Sequence, residues 1–276
     1  MTRPVAIVSG AGSGIGAVIA TRLASRYDLI LTHRHDDQDL DTVLARVERY
    51  GAAAVAVTGD LTDPATIDLL RHEIDHAADR LEVLVSNAGA YPRIPWRDLD
   101  PDAFRRQIEI DLVTHAACAH LVTPAFTARE RGRIVAVSSV LIRLGRVDLA
   151  GYIAAKSGLE GLIRALAREL GPHDTTVNCI RAGSIEVPAE HTVVPITTQW
   201  WHAHSTASTS NDVANLLTWP PPFSSWPLTT PASSPSWRSS HHYPAPRRTA
   251  SSRANRVPPA ADRRRRRPEP RLPAAR

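Results

Sequence analysis

The chain of 276 residues contains a single lysine, Lys156, and its position relative to two other polar residues points to acid–base chemistry. Tyr152 precedes it by four positions, so on a helix the two side chains share one face. Ser139 lies upstream, at the end of an apolar run that is typical of a strand. A tyrosine with the ordinary pKa of about 10 exchanges protons poorly at neutral pH, but a neighbouring ammonium stabilises the phenolate and lowers that pKa. A Tyr-x-x-x-Lys pair also arises by chance, so the elements around it must support this interpretation.

A glycine-rich segment near the start of the chain predicts a dinucleotide site. Val5 to Ser9 is a short apolar run with strand character, and a helical pattern rich in Ala, Ile and Leu follows the glycines. In such a strand–turn–helix unit, backbone N–H groups can approach a pyrophosphate, and the helix N-terminus adds partial positive charge. A flexible turn is the alternative, but the strand before and the helix after favour the cofactor site. The residues of the segment are Gly10, Ala11, Gly12, Ser13, Gly14, Ile15 and Gly16.

The order of the apolar runs predicts one α/β domain over residues 1–190, built on a doubly wound parallel sheet (a Rossmann fold). Strand-like and helical stretches alternate, and the strands are apolar throughout, as expected of parallel strands that are covered on both faces. We expect six strands, at about 3–9, 28–32, 53–58, 82–86, 133–138 and 175–181. We expect helices at about 14–25, 38–50, 64–79, 101–128 and 151–170.

The motifs on these elements resemble those of the short-chain dehydrogenase/reductase family, from about residue 3 to residue 187. The glycine spacing from Gly10 to Gly16 and the set of Ser139, Tyr152 and Lys156 carry the resemblance. The spacing between Ser139 and Tyr152 is similar to that of bacterial 3-oxoacyl-[acyl-carrier-protein] reductases, the branch that this chain resembles most. The resemblance implies an oxidoreductase with a nicotinamide cofactor and a carbonyl substrate, either a small molecule or one attached to a carrier.

Three further segments match positions at which the family binds its cofactor. Asp60 and Leu61 close the third predicted strand, where the family places an aspartate on the adenine ring. The run Asn87-Ala88-Gly89 closes the fourth strand, with Ser86 in place of the first Asn of the family motif. Ile185 corresponds to the residue whose backbone meets the nicotinamide amide. The resemblance therefore implies that these residues contact the dinucleotide.

Arg34 bears on the choice of cofactor. Members of the family that prefer NAD carry an acidic residue one position earlier, where this chain has His33. A carboxylate there would bind the ribose hydroxyls and repel a 2′-phosphate, whereas Arg34 could bind that phosphate through two N–H groups. The resemblance therefore implies NADP (as NADPH) in preference to NAD.

The resemblance also implies a mechanism. Hydride passes from the nicotinamide to a carbonyl carbon, while Tyr152 protonates the oxygen and Ser139 hydrogen-bonds it. Lys156 holds the ribose and lowers the pKa of the tyrosine. The family usually adds an asparagine that holds a water of the proton relay, and the matching residue here is Asp111. Its charge favours the protonated form of Lys156, so we expect a slower relay.

Composition changes abruptly near residue 197. The last of the 14 glycines is Gly183, and five of the 6 tryptophans lie between Trp200 and Trp237. Residues 191–276 are rich in Pro, Ser and Arg, so we predict a largely disordered tail in which the substrate flap and final strand of the family are missing. GC-rich DNA translated in a wrong frame gives such a composition, and a frameshift is one hypothesis for it. For function, the tail adds a second hypothesis: a catalytically impaired, cofactor-binding remnant of a reductase.

The net charge of +5 belongs to this tail, because residues 1–190 carry an excess of acidic residues. A nucleic-acid binder that uses Arg263–Arg267 is a third hypothesis, but no aromatic platform or groove-reading helix accompanies the arginines. No apolar segment approaches the ~20 residues of a membrane span and no signal sequence precedes the first strand, so we predict a cytoplasmic protein. Family members commonly pair through helices that correspond to 101–128 and 151–170, which implies a homodimer.

The cysteines and histidines show no metal-binding pattern. Cys118 falls in a predicted helix and Cys179 in a predicted strand, without the close spacing of zinc ligands, so we expect core thiols and no disulfide. The 12 histidines lack a matching set of carboxylates or cysteines. We therefore predict that the histidines are solvated side chains and that the chain holds no metal.

Overall fold

The computed structural model describes residues 3–35, 38–183 and 185, and a six-stranded parallel sheet runs through them. The order of its strands is β3-β2-β1-β4-β5-β6, and every neighbouring pair is parallel. The strands are β1 (Val5–Ser9), β2 (Asp28–His33), β3 (Ala54–Thr58), β4 (Leu81–Ser86), β5 (Gly132–Ser139) and β6 (Thr175–Ala182). The strand order reverses between β1 and β4, and in such sheets ligands bind beyond the carboxyl ends of the strands at this point. The prediction of a doubly wound sheet is confirmed.

Helices connect the strands and cover both faces of the sheet. They are α1 (Gly14–Leu23), α2 (Gln38–Glu48), α3 (Pro64–Ala77), α4 (Pro101–Ile108), α5 (Thr114–Arg129), α6 (Leu141–Leu144) and α7 (Ala150–Leu170). Two starts show why these segments are helical: α3 and α4 each have proline at the first position and an aspartate just before it. The side chains of Asp63 and Asp100 accept hydrogen bonds from N–H groups of the first turn, which caps both helices.

The prediction of one helix over 101–128 is wrong in one detail, because a turn of π-helix, Glu109–Val113, joins α4 and α5. Such turns insert an extra residue into a helix and often occur at functional sites. Asp111 lies in the middle of the turn and is fully buried.

The sheet separates two apolar clusters, and β1 shows how one strand serves both. Val5 and Ile7 belong to the cluster formed with α3, α5 and α7, whereas Ala6 and Val8 belong to the cluster formed with α1 and α2. Successive side chains of a strand point to opposite faces, so a strand that is buried on both sides must be apolar throughout. Because the strands are apolar on both faces, we expect the polar side chains of a site to lie at the carboxyl edge of the sheet.

Several sequence predictions lie outside the described residues: the disordered tail, the missing final strand and any role for Arg263–Arg267. The domain boundary near residue 190 likewise stays a prediction. Within the described part of the chain, no helix is long and apolar enough to cross a membrane. In that same part, no three His, Cys, Asp or Glu residues are grouped as metal ligands would be. Cys118 is buried, Cys179 is half-buried, and both are free thiols.

Candidate active site

The turn between β1 and α1 requires glycine at several positions, so its surface consists largely of main-chain atoms. Gly10 and Gly14 have positive φ angles of 66° and 54°, which side-chain-bearing residues rarely adopt. A Cβ added at Gly16 would collide with the carbonyl oxygen of Gly10, and one added at Gly12 would collide with the ring of His33. The turn therefore leaves room for a ligand to approach the main chain closely.

The N-terminus of α1 adds hydrogen-bond donors to this turn. Its N-cap residue, Ser13, makes no capping hydrogen bond through its side chain. Ser13, Gly14 and Ile15 all line the cleft at the carboxyl edge of the sheet. Since the first N–H groups of a helix lack partners within the helix and carry partial positive charge, this end of α1 fits a pyrophosphate.

The Asn87-Ala88-Gly89 run fixes the glycine turn to β4. The Nδ2 of Asn87 donates hydrogen bonds to the carbonyl oxygens of Ser9 and Gly10, both at 3.1 Å. The backbone N–H groups of Asn87 and Ala88 donate to the Oγ of Ser9 at 2.9 and 3.0 Å. The cofactor contacts of this run stay a prediction, and the structure shows that the run holds the glycine turn in place.

Arg34 follows β2 directly and lines the cleft, and its contact with the adenosine part of a cofactor stays a prediction. Its Nε is 3.4 Å from Oδ2 of Asp60, and both side chains are about half exposed. The other carboxylate oxygen of Asp60 accepts hydrogen bonds from the N–H and the hydroxyl of Thr62, each at 2.9 Å. Hydrogen bonding by Thr62 and the charge of Arg34 lower the pKa of Asp60 despite the opposing effect of burial. Asp60 therefore stays ionised and holds the guanidinium at the cleft.

Ser139 and Tyr152 lie at the opposite end of the cleft. Ser139 ends β5 and is buried, and its Oγ accepts a hydrogen bond from the N–H of Leu141 at 3.2 Å. Tyr152 lies in the first turn of α7, with its ring tilted against Tyr91 at a centroid distance of 5.8 Å. The Nζ of Lys156 is 5.9 Å from the centroid of the Tyr152 ring.

The cleft has a volume of about 420 Å³ and brings together most of the residues that the sequence singled out. Gly12 and Gly16 are not among its lining residues and instead shape the turn from behind. The predicted site residues that line it are Gly10, Ser13, Gly14, Ile15, Arg34, Asp60, Leu61, Asn87, Ala88, Gly89, Asp111, Ser139, Tyr152, Lys156 and Ile185.

Lys156 is almost completely buried, with 3% of its surface exposed, and its ammonium meets three acceptors. Its Nζ is 3.3 Å from Oδ1 of Asp111, 3.2 Å from the carbonyl oxygen of Val137 and 3.1 Å from Nε2 of His115. An ammonium has three N–H donors, so the three contacts account for all of them. Burial lowers the pKa of Lys156, and the charge of Asp111 opposes that shift.

Asp111 is the counter-charge of this lysine. It also accepts hydrogen bonds from the N–H of Ala90, at 3.3 Å, and from the side-chain amide of Gln107. Burial raises the pKa of Asp111 to about 6, while the nearby ammonium acts in the opposite direction. The resemblance placed Asp111 where the family has an asparagine that holds a water of the relay, and we expected its charge to favour the protonated form of Lys156. The structure shows a direct ion pair between the two residues, and the part of Asp111 in proton transfer stays a prediction.

His115 is the residue of this site that the sequence interpretation missed. The prediction that the histidines are solvated is wrong for His115, which has 3% of its surface exposed. Its Nδ1 is 2.6 Å from the Oγ of Ser86, and its other ring nitrogen faces Lys156. A signal was present: His115 follows Asp111 by four positions, the same spacing that paired Tyr152 with Lys156.

Asp111→Asn should change how stability depends on pH. Because the folded-state pKa of Asp111 is raised from 3.8 to about 6, the folded protein keeps a proton that the unfolded chain loses between these values. Below about pH 4, this proton contributes about 3 kcal/mol to the free energy of unfolding. The contribution is lost as the pH rises to about 6. Asparagine does not titrate. Urea unfolding should therefore show the free energy of unfolding of the variant rising relative to that of the parent as the pH increases from about 4 to about 6. The pKa of Lys156 should fall in the variant because it loses its counter-charge, which acts in the same direction. A difference that is constant over this range would contradict the assignment.

Comparisons with known proteins show the family of the chain. The family model for short chain dehydrogenases matches residues 4–195. The cis-4-hydroxycyclohexanecarboxylate dehydrogenase of Sinomonas cyclohexanicum is 36% identical over 185 residues, which cover 67% of this chain and 74% of the relative. A 3-oxoacyl-[acyl-carrier-protein] reductase of Synechocystis sp. is 28% identical over 186 residues, 67% of this chain and 75% of the relative.

A solved structure matches as well. The short-chain dehydrogenase from Sphingobium yanoikuyae in complex with NADPH has a TM-score of 0.68 and 26% identity, over 77% of this chain and 82% of that one. The relatives differ in substrate by name, so the 3-oxoacyl substrate stays a prediction. Fold, cleft and matches agree on the family, and the chain belongs to the short-chain dehydrogenases, a family of oxidoreductases.

Proposed function

We propose that the chain is an NADP-dependent reductase that converts a carbonyl group to a hydroxyl group at Ser139, Tyr152 and Lys156. The observation that carries the proposal is that these three side chains line the same cleft as the glycine turn and the N-terminus of α1. The NADPH-bound relative of similar fold and the 3-oxoacyl reductase among the relatives support it.

The described residues fit a phosphorylated dinucleotide. The glycine turn and the first N–H groups of α1 would hold the pyrophosphate, and Arg34 would hold a 2′-phosphate at the adenosine end. The dinucleotide, when bound, supplies the hydride. Ile185 is buried in the wall of the cleft at the end where Ser139 and Tyr152 lie, which fits the nicotinamide side.

The side chains at that end can handle the proton and the developing negative charge. Tyr152 donates its proton to the carbonyl oxygen of the substrate, and the hydroxyl of Ser139 hydrogen-bonds the same oxygen. The ammonium of Lys156 lies over the face of the Tyr152 ring, and its positive charge stabilises the phenolate that remains. General acid catalysis of this kind contributes about a hundredfold to ten-thousandfold in rate.

The substrate we propose is a ketone, with a short 3-oxoacyl thioester as the first candidate and polyketide intermediates or simple ketones as others. The test is the oxidation of NADPH by the purified chain in the presence of each ketone, with NADPH binding measured separately by fluorescence. Turnover supports the reductase. Tight binding of NADPH without turnover of any ketone would instead favour the catalytically impaired remnant.

We extend the proposal to a homodimer formed through the helical segment of α4 and α5 and through α7. The support is the family resemblance, because members commonly pair through the corresponding helices. Light scattering of the purified chain measures the mass in solution, and the mass of a single chain at all concentrations tested would contradict the dimer. The cytoplasmic location stays a prediction.

Arg34→Asp should weaken the binding of NADPH by about tenfold to a hundredfold, because a charge-assisted hydrogen bond to the 2′-phosphate contributes roughly 1.5–3 kcal/mol. The binding of NADH should change much less, because NADH has no phosphate at that position. Titration of each cofactor against the parent and the variant measures both constants.

The control for this change is Arg71→Asp, since Arg71 is also half exposed and also pairs with an aspartate, but it does not line the cleft. It should leave both cofactors unaffected. If Arg34→Asp weakens NADPH and NADH equally, the assignment of Arg34 to the 2′-phosphate is wrong.

A further inference from the structure

The bond between His115 and Ser86 connects Lys156 to β4, and the mechanism above does not use it. Three different elements supply the acceptors around Nζ: Asp111 comes from the π-helical turn, Val137 from β5 and His115 from α5. Ser86 ends β4 and is buried behind the imidazole. The four side chains Ser86, His115, Lys156 and Asp111 thus form one buried chain of contacts.

The contacts determine which ring nitrogen of His115 carries the proton. A lysine ammonium can only donate hydrogen bonds, so Nε2 of His115, at 3.1 Å from Nζ, must accept. In a neutral imidazole the other nitrogen then carries the hydrogen, and Nδ1 donates to the Oγ of Ser86 at 2.6 Å. Burial and the charge of Lys156 both lower the pKa of His115 well below its ordinary value, in agreement with a neutral ring.

We infer that His115 is a positioning residue for Lys156: its Nε2 accepts a hydrogen bond from the ammonium, and its Nδ1 is held by the contact with Ser86. A lysine side chain is flexible, and a single carboxylate attracts the ammonium without defining where it lies. A neutral imidazole adds an acceptor in a fixed direction and adds no second negative charge. The cluster then holds one cation, Lys156, and one anion, Asp111, with the neutral acceptors His115 and Val137 completing the ammonium's hydrogen bonds.

Two conservative variants separate positioning from mere space filling. In His115→Gln the amide oxygen can reach the place of Nε2 and accept from Lys156. In His115→Asn the shorter side chain places its amide near Nδ1, where it can bond Ser86 but cannot reach the lysine. Thermal unfolding and NADPH binding of both variants show whether each is folded.

The first readout does not depend on activity. Because Lys156 is the only lysine, protein grown with lysine labelled at Nζ gives one side-chain NMR signal, which can be titrated. Loss of an acceptor for the charged form should lower the pKa of Lys156 by about one to two units in His115→Asn, whereas His115→Gln should stay close to the parent. Identical titrations in the parent and both variants would overturn the inference. Besides His115 itself, the titratable groups in the contact chain are Lys156 and Asp111, with Tyr152 beside the lysine, and these three are the same in each protein.

The second readout rests on the proposed function. In His115→Asn the kcat for a ketone should fall by about tenfold to a hundredfold with little change in the KM of the ketone, and His115→Gln should recover most of the loss. Equal losses in both variants would overturn the inference. If the parent reduces no ketone, the proposed function fails, and the lysine titration alone then decides whether His115 positions Lys156.

Discussion

Tyr152→Phe should lower the turnover of any ketone that the parent reduces by at least about a hundredfold, while the binding of NADPH changes little. Phenylalanine keeps the ring, so the packing against Tyr91 at 5.8 Å and the approach of the Lys156 ammonium at 5.9 Å are preserved. What is lost is the hydroxyl that donates the proton. Initial rates at saturating ketone give the turnover, and quenching or enhancement of NADPH fluorescence gives the binding constant.

Tyr91→Phe is the matched control, because Tyr91 is a second tyrosine in the wall of the same cleft and contacts the ring of Tyr152. It removes a hydroxyl from a neighbouring ring of the same cleft without removing the proposed acid, so turnover should fall by no more than severalfold. Should Tyr152→Phe reduce ketones as fast as the parent, Tyr152 is not the acid. Equal losses in the two variants would show that the cleft tolerates neither change, and the assignment would then lose its support.

The sequence could predict the sheet because burial on both faces leaves little choice of residue. All five residues of β1 are buried, and its neighbours in the sheet are similarly apolar. Proline and aspartate at the starts of α3 and α4 are equally local features of the sequence. The positions of three proposed site residues could also be predicted locally, since Ser139 ends a strand and Tyr152 and Lys156 share a helical face, whereas their roles came from the family resemblance and stay predictions.

The parts that could not be predicted depend on contacts between elements. The residues of 101–129 do not by themselves distinguish a π-helical turn from a continuous α-helix. In the structure, Asp111 of this turn contacts Lys156 of α7 and Ala90 of the loop after β4. The spacing of Asp111 and His115 places both on one side of the helix, but spacing does not say whether that side faces water or Lys156. The sequence analysis expected the charge of Asp111 to act on Lys156, but the direct contact of 3.3 Å between them depends on distances that only the fold sets.

Lys156→Ala should abolish most of the turnover and also destabilise the fold, because it leaves the carboxylate of Asp111 buried without its partner. Removing one member of a buried ion pair costs roughly 3–5 kcal/mol. Burial already raises the pKa of Asp111 to about 6, and the ammonium opposes that shift. Without the ammonium the pKa should rise further, so the loss of stability should be largest at neutral pH and should shrink as the pH falls and Asp111 takes up a proton.

The double variant Lys156→Ala, Asp111→Asn separates the two effects of the lysine. Asparagine carries no charge that needs a partner, so the double variant should recover most of the stability at neutral pH, as measured by urea unfolding. It should recover none of the turnover, because the ammonium beside Tyr152 is still absent. A stable but inactive double variant would place the loss of turnover in the chemistry of the site and not in unfolding. A double variant as unstable as Lys156→Ala would instead mean that the unpaired charge of Asp111 is not what destabilises the fold, and that the lysine supports it through its contacts with His115 and Val137.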